Sequence, residues 1–325
     1  MGYSKWIRRD YLDTLKQFFK NLKYKGELGF QLYIFVLRTY KILTNYIFSD
    51  QSYISKKFNY YQQGTLDWNN LKSLNEKMQW FKIYDRNPKY TMLSDKYLAR
   101  EYFSKEFGAE YLIPLIFETT NAKELNENNL PNYPVVVKAN HDSGNYRIIR
   151  DKSKVDFHKL QTDAREWLSF NYYWEDREWP YKNIQPRIVV EKLLQTKEGK
   201  IPNDYKLNCF NGKVEFVYVS VDREGINKRN IYSKDWKPLD FTWNKRFYDH
   251  SKLRGPEIDA PATYSKMIEF AERIAKDYQY VRVDFYDVDG KLYFGEITQY
   301  HGGGFDVMMP KEWDYKFGEM IEIKA

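Results

Sequence analysis

Asp284 and Glu296 are carboxylates set inside two apolar runs, "VRVDFYDV" and "KLYFGEIT", on either side of an Asp289-Gly290 turn. Strand alternation puts Arg282, Asp284 and Tyr286 on one face, with Val281, Val283 and Phe285 on the other. In the second run it puts Phe294, Glu296 and Thr298 on one face. Antiparallel pairing about the turn brings the two acids together, where like charges repel unless a cation joins them. Mg²⁺ takes such oxygen ligands together with phosphate oxygens. Arg282 then faces any phosphoryl group held there, and the glycine run after His301 leaves backbone N–H groups able to approach an oxyanion. The competing reading is a solvent-facing strand pair with ordinary surface charges.

Further residues suit a nucleotide. "VVVKANHDSGNYRII" reads as a strand ending on Lys138, a polar loop carrying His141, Ser143 and Gly144, and a second strand. A lysine beside a glycine-containing loop suits phosphates, as does Lys96 near the start of a helix. "IVVEKLLQ" is an apolar strand whose backbone edge can read an adenine. His141 is either an exposed loop histidine or part of a mobile lid. His158 and His250 lack ligand spacing, so no zinc site is expected. The single cysteine, Cys209, excludes an intramolecular disulfide framework and reads as a buried structural thiol.

The elements that must position these residues are mixed. The chain has 325 residues, 42% hydrophobic and 30% charged, which predicts a soluble protein with two or more lobes. In "SLNEKMQWFKIYDRN", Leu74, Met78 and Phe81 share one helix face. "SDKYLAREYFSKEFG" is a second helix, capped by Ser94 or Asp95 and closed by Gly108. "DYKLNCFNGKVEFVYVSVDR" is a hairpin turning at Asn211-Gly212, and a helix spans about 263 to 277. Hairpins with intervening helices indicate an α+β fold rather than a doubly wound parallel sheet.

The net charge of +7 belongs to one segment: residues 1 to 60 hold 11 Lys/Arg against 4 Asp/Glu, and the rest is neutral. Nucleic acid is therefore disfavoured as a partner. The stretch "GFQLYIFVLRTYKILTNYIF" carries Arg38 and Lys41 near its middle, at ~2.5–3.5 kcal/mol each against spanning a bilayer. An amphipathic helix on an anionic membrane surface fits better, the alternative being a helical pair docked on the protein body. No secretory signal pattern is present, so a cytoplasmic location is expected, peripheral on the inner face of the plasma membrane if the helix binds lipid.

In chain order, Lys96, Lys138, "VVEKLL", Asp204-x-Lys206, Asp284 and Glu296 resemble an ATP-grasp enzyme. More narrowly, "LNEKMQWFKIYDRNPKYTMLSDKYLAREY", "REWPYKNIQPRIVVEKLL", "DYKLNCFNGK", "RVDFYDVDGKLYFGEIT" and "EWDYKFG" resemble the teichuronopeptide-synthesis branch of that superfamily. This branch belongs to bacterial surface-polysaccharide clusters and is often labelled glycosyltransferase; the likeness covers about residues 70 to 318. It implies two α+β lobes clasping ATP, with a basic helical segment at 1–60, the smaller lobe within 61–193, and the metal-bearing lobe at 194–325. It implies that Lys96 and Lys138 contact the phosphates, under a loop from His141 to Tyr146 that includes Ser143 and Gly144. Glu191, Lys192 and Leu193 become the adenine hinge, and Asp204 lies near the ribose. Lys206, or Lys228 and Arg229, lie near the γ-phosphate. It implies that Arg282 stabilises the acyl phosphate and tetrahedral intermediate while Asp284 and Glu296 hold Mg²⁺. Thr298 stands where the family has an asparagine as third ligand. The implied activity is an ATP- and Mg²⁺-dependent carboxylate–amine ligase joining a glycan uronic acid, free or lipid-linked, to an amino acid or other amine. A glycosyltransferase, a sugar kinase and a non-catalytic membrane-associated assembly protein are the alternatives.

Overall fold

The computed structural model describes residues 17–225 and 227–323. The first part of the basic segment, residues 1–16, lies outside them. The remainder forms α1 (Gly26–Ile47) and α2 (Asp50–Gln62), followed by α3 (Leu74–Tyr84), α4 (Lys89–Ser94) and α5 (Leu98–Phe107). Ser73 and Glu76 form a capping box at the start of α3, which satisfies its otherwise unpaired first amides. Ser94 ends α4 instead of capping α5; it is Asp95 that receives the Tyr97 amide at 2.8 Å. Among the described residues no helix is long and apolar enough to cross a membrane.

Two antiparallel sheets face each other across a cleft. The small sheet contains β1 (Leu115–Thr119), β2 (Val135–Ala139), β3 (Tyr146–Ile149) and β4 (Ile188–Lys192), in the order β1-β4-β2-β3. Val135, Val137, Ile188 and Val190 bury one face of it against Leu160, Ala164 and Trp167 of α6 (Phe157–Ser169). The large sheet contains β5 (Asp204–Phe210), β6 (Lys213–Val221) and β7 (Lys228–Ser233). After β8 (Thr242–Asn244) and α7 (Tyr264–Ala275) it is completed by β9 (Tyr280–Val288) and β10 (Lys291–Thr298), in the order β10-β9-β5-β6-β7. Beyond lie β11 (Val307–Met309), paired with β8, and α8 (Glu312–Glu319).

Alternation divides the large sheet. Leu207, Cys209, Val217, Val219, Val281, Val283 and Phe285 turn inward against α5 and α7. Cys209 is wholly buried there, as a structural thiol should be. Lys206, Asp204, Arg282 and Asp284 turn to the opposite face, which lines the cleft. Both expected hairpin turns form: Asn211-Gly212 and Asp289-Gly290 have φ of 48° and 81°, and 53° and 85°, the left-handed pair that a type I′ turn requires. Helices α3 to α5 stand before the small sheet in the chain, yet they pack on the large one. Leu74 and Met78 join Phe317, and Phe103 stacks on Phe294 with ring centroids 4.1 Å apart. The smaller lobe is thus narrower than residues 61–193.

One register feature departs from simple alternation. From the turn to Phe294, β10 pairs without interruption, Tyr293 against Tyr286 and Phe294 against Phe285; past Gly295 the register slips, and Glu296 faces Asp284. Gly295 is therefore a one-residue bulge. Phe294 joins the core with Phe285 rather than sharing a face with Glu296, which corrects the alternation expected for that run. The slip matters because a strand displaced by one residue presents its other face. A Cβ on Gly295 would stand 2.9 Å from the Asp284 carbonyl oxygen, a backbone atom that cannot rotate away. Gly295→Ala is accordingly expected to cost roughly 1–3 kcal/mol, measured by urea unfolding, and to displace Glu296 enough to weaken divalent-cation binding.

Candidate functional site

The cleft floor is organised around Arg282. Its Nε donates to Asp284 Oδ1 at 2.7 Å, and one terminal nitrogen donates to Asp284 Oδ2 at 2.8 Å, Glu296 Oε1 at 2.9 Å and Thr298 Oγ1 at 3.1 Å. The other terminal nitrogen donates to His301 Nδ1 at 3.0 Å. An arginine offers no acceptor, so His301 holds its own proton on Nε2. Burial, together with the Arg282 and Lys206 charges, keeps that imidazole neutral. Lys206 donates to Asp204 at 2.5 Å and to Asp284 at 2.7 Å.

The two acids titrate differently. Burial pushes the Asp284 carboxyl up despite Arg282 and Lys206 beside it. Burial acts the same way on Glu296, but Lys96, Arg282, Lys206 and Lys138 outweigh it and hold that carboxyl at about 2. A permanently ionised carboxylate beside a second one is a hard oxygen pair suited to Mg²⁺. Thr298 is a poor third ligand: its hydroxyl accepts from Arg282, and it faces Glu296 at 3.4 Å. Among the described residues no group of three or more His, Cys, Asp or Glu side chains could hold a metal. The donor set fits one Mg²⁺ on Asp284 and Glu296, whose remaining ligands would be phosphate oxygens and water.

The opposite wall is cationic. Lys138, next to last in β2, pairs with Glu191 at 2.5 Å, and Arg100 takes the other oxygen of Glu191 at 2.7 Å. Lys96 donates to the Asp142 carbonyl and so ties the start of α5 to the loop between β2 and β3. These groups, with Ser143 and Gly144 of that loop, enclose a cavity of about 340 Å³ that also reaches Asp204, Lys206, Asp284 and Glu296. Its apolar end is formed by Ile113, Val136, Ile148 and Ile201 beside Lys192 and Leu193.

Several expected residues stand elsewhere. Lys228 alternates onto the far face of the large sheet, and its Nζ donates to the Lys252 carbonyl at 2.6 Å, so it cannot reach the cleft. Arg229, its neighbour, is opposite Ser220 and shares the cleft face; its charge acts on Tyr218, His301 and Asp306, and one guanidinium nitrogen is buried without a partner. His141 is not an exposed loop residue. It is buried, with Nδ1 against Asn140 and Nε2 against the Trp167 and Phe170 carbonyls at 3.0 and 3.1 Å, anchoring the loop to α6. The Leu193 amide donates to the Pro134 carbonyl, and Leu194 also lines the cavity. Arg223 lines the cavity as well and faces the Tyr286 ring. It lies two residues past the end of β6, in "SVDREG", where strand parity would have sent it to the core face with Val221; the left-handed Asp222, at φ of 53°, breaks that alternation.

The Glu296 shift sets a pH dependence. Its folded carboxyl titrates at about 2 against 4.5 ordinarily, so unfolding takes up a proton between those values. Its stabilising contribution is complete above the ordinary value and lost as pH falls toward the folded one. The difference in urea-unfolding free energy between the chain and Glu296→Gln is expected to stay constant from about pH 8 to 5 and to shrink below that.

The sequence matches the model of the TupA-like ATPgrasp family over residues 76–322. Among solved structures, D-alanine–D-alanine ligase from Bacillus anthracis is similar at 18% identity, TM-score 0.36, covering 64% of this chain and 57% of that one. The corresponding ligase from Helicobacter pylori is 15% identical, TM-score 0.38, covering 77% and 69%. The ATP-grasp ligase PsnB, in a complex with Mg and ADP, is 11% identical, TM-score 0.37, covering 65% and 52%. The chain thus spans little more than half the length of the first of these relatives. Comparison with curated proteins returns no match.

Proposed function

The chain belongs to the TupA-like ATP-grasp family, and on that footing we propose that it is an ATP- and Mg²⁺-dependent carboxylate–amine ligase. The observation that carries this reading is a single cavity with Lys96 and Lys138 on one wall and Asp284 and Glu296 on the other, the two acids being held by Arg282. Lys96 and Lys138 hold the phosphates from the small lobe, beneath the Ser143-Gly144 loop. Lys192, Leu193 and Leu194 meet the adenine, and Asp204, with one carboxylate oxygen buried and unpartnered, meets the ribose. Asp284 and Glu296 would hold Mg²⁺, which supplies charge neutralisation at the phosphate oxygens.

A substrate carboxylate attacks the γ-phosphorus, ADP leaves, and an acyl phosphate forms. An amine then attacks the carbonyl carbon, loses a proton and expels inorganic phosphate. Lys206, Arg282 and Arg229 neutralise negative charge along the cleft face, so catalysis is mainly positioning and electrostatics. The proposed carboxylate is a uronic acid of a bacterial surface glycan or of its lipid-linked precursor. The basic segment holds the enzyme on the inner face of the plasma membrane. Thr298, engaged by Arg282, is the feature that favours a non-catalytic assembly protein instead.

Product analysis tests these readings with ATP, Mg²⁺ and a panel of uronic acids and amines. ADP with inorganic phosphate and a new amide supports the ligase. ADP without phosphate indicates a kinase, UDP or GDP released from nucleotide sugars a glycosyltransferase, and no turnover the assembly role. Asp284→Ala and Glu296→Ala are each expected to abolish Mg²⁺-dependent turnover with near-ultraviolet circular dichroism unchanged. Lys138→Gln should weaken ATP binding about tenfold by calorimetry, the scale of one lost charge-assisted contact.

A further inference from the structure

A second cavity lies outside the nucleotide site. It measures about 490 Å³, larger than the first, and sits between α1 and the end of α6. Ile34, Leu37 and Ile42 form one wall; Trp167, Phe170 and Trp174 form the other. The first wall comes from residues outside the 76–322 family match. Asn145, in the loop that closes over the nucleotide cavity, lines both spaces.

Helix α1 is apolar on two opposite faces. One is docked: Phe30, Tyr33 and Ile34 are buried, Tyr33 bonds to Glu166 of α6, and Lys23 and Tyr24, in the turn before α1, bond to Asp163. The other carries Leu28, Leu32 and Phe35, which are 88%, 50% and 66% exposed and recur at helical spacing. Leu43 and Ile47 continue that stripe. Ile42 is both exposed and part of the cavity wall, so the stripe and the cavity are continuous. The exposed charges beside the stripe are mostly basic: Lys20, Lys25 and Arg38, against Glu27, which pairs with Arg165; at the cavity edge Lys41 pairs with Glu175, and Glu166 lines the cavity as well. An apolar stripe flanked by lysine and arginine matches an anionic bilayer rather than water.

We propose that the cavity receives the hydrocarbon chain of an anionic membrane lipid while α1 lies in the headgroup layer. This deepens the membrane part of the proposed function and is independent of the ligase chemistry. Because Asn145 borders both cavities, the lipid chain ends beside the loop that covers the nucleotide.

The test uses the full chain with vesicles of phosphatidylglycerol brominated along its acyl chains, which quench tryptophan on contact. Quenching is expected with these vesicles, and little with brominated phosphatidylcholine. In Trp167→Phe/Trp174→Phe most of it should disappear while the protein still sediments with the vesicles; Trp174→Phe alone serves if the double variant does not fold. Leu32→Glu/Phe35→Glu should abolish both sedimentation and quenching. Undiminished quenching in the tryptophan variant would place lipid on the outer stripe only and overturn the cavity assignment. Absence of vesicle binding, or a dimer in sedimentation velocity that shields α1 from vesicles, would overturn the proposal entirely. Asp284→Asn, expected to lose turnover yet keep the quenching, separates failure of this proposal from failure of the ligase reading.

Discussion

The guanidinium of Arg282 is the constraint on which the cleft depends. It is 7% exposed and bonds both oxygens of Asp284, the near oxygen of Glu296, Thr298 and His301. Two carboxylates on adjacent strands, Asp284 buried and Glu296 about a third exposed, would otherwise repel and take up protons. The charge that makes their approach tolerable also fixes where the next layer goes. His301 lies flat on Trp243, ring centroids 3.9 Å apart, and Trp243 donates to the Asp306 carbonyl. Gln62 of α2 and Gln79 of α3 then hold the carbonyls of the glycine-rich loop. That loop runs through Gly302, Gly303 and Gly304 at φ of 55°, 62° and 68°, a succession of left-handed residues open to glycine and strained for others.

Local patterns were legible in the sequence; long-range partners were not. Alternation found the strands, both type I′ turns and the buried thiol, because each depends on residues close in the chain. The pairing of Asp284 with Glu296 was also reached, but by a count that ignored the bulge. Straight alternation fails at Gly295, where only the partner strand shows that one residue is extra. His141 reads as a loop residue because nothing nearby announces the Trp167 and Phe170 carbonyls, which come from a distant helix. Lys228 and Arg229 are chemically alike in sequence, and strand parity alone sends one to the cleft and the other away.

The same limit explains the lobe boundary. Helices α3 to α5 precede the small sheet in the chain, and that order does not say which sheet they pack on. Their apolar faces are instead complementary to the large sheet: Phe103 to Phe294, and Leu74 and Met78 to the aromatic cluster around Phe317. Burial area and shape decided their place, and neither is written in the order of the residues.

The N-terminal helices bridge what the sheets keep apart. Helix α1 and the turn before it are bound to the small lobe through Lys23, Tyr24 and Tyr33 on Asp163 and Glu166. Helix α2 is bound at the far side, through Gln62 to the glycine loop. Only Phe48 and Ser49 separate the two helices, and two residues of extended chain reach about 7 Å. The segment is therefore a tether of fixed length across the jaws. Lys41 of α1 and Tyr53 of α2 both bond Glu175, so the two helices also share one seat between the sheets.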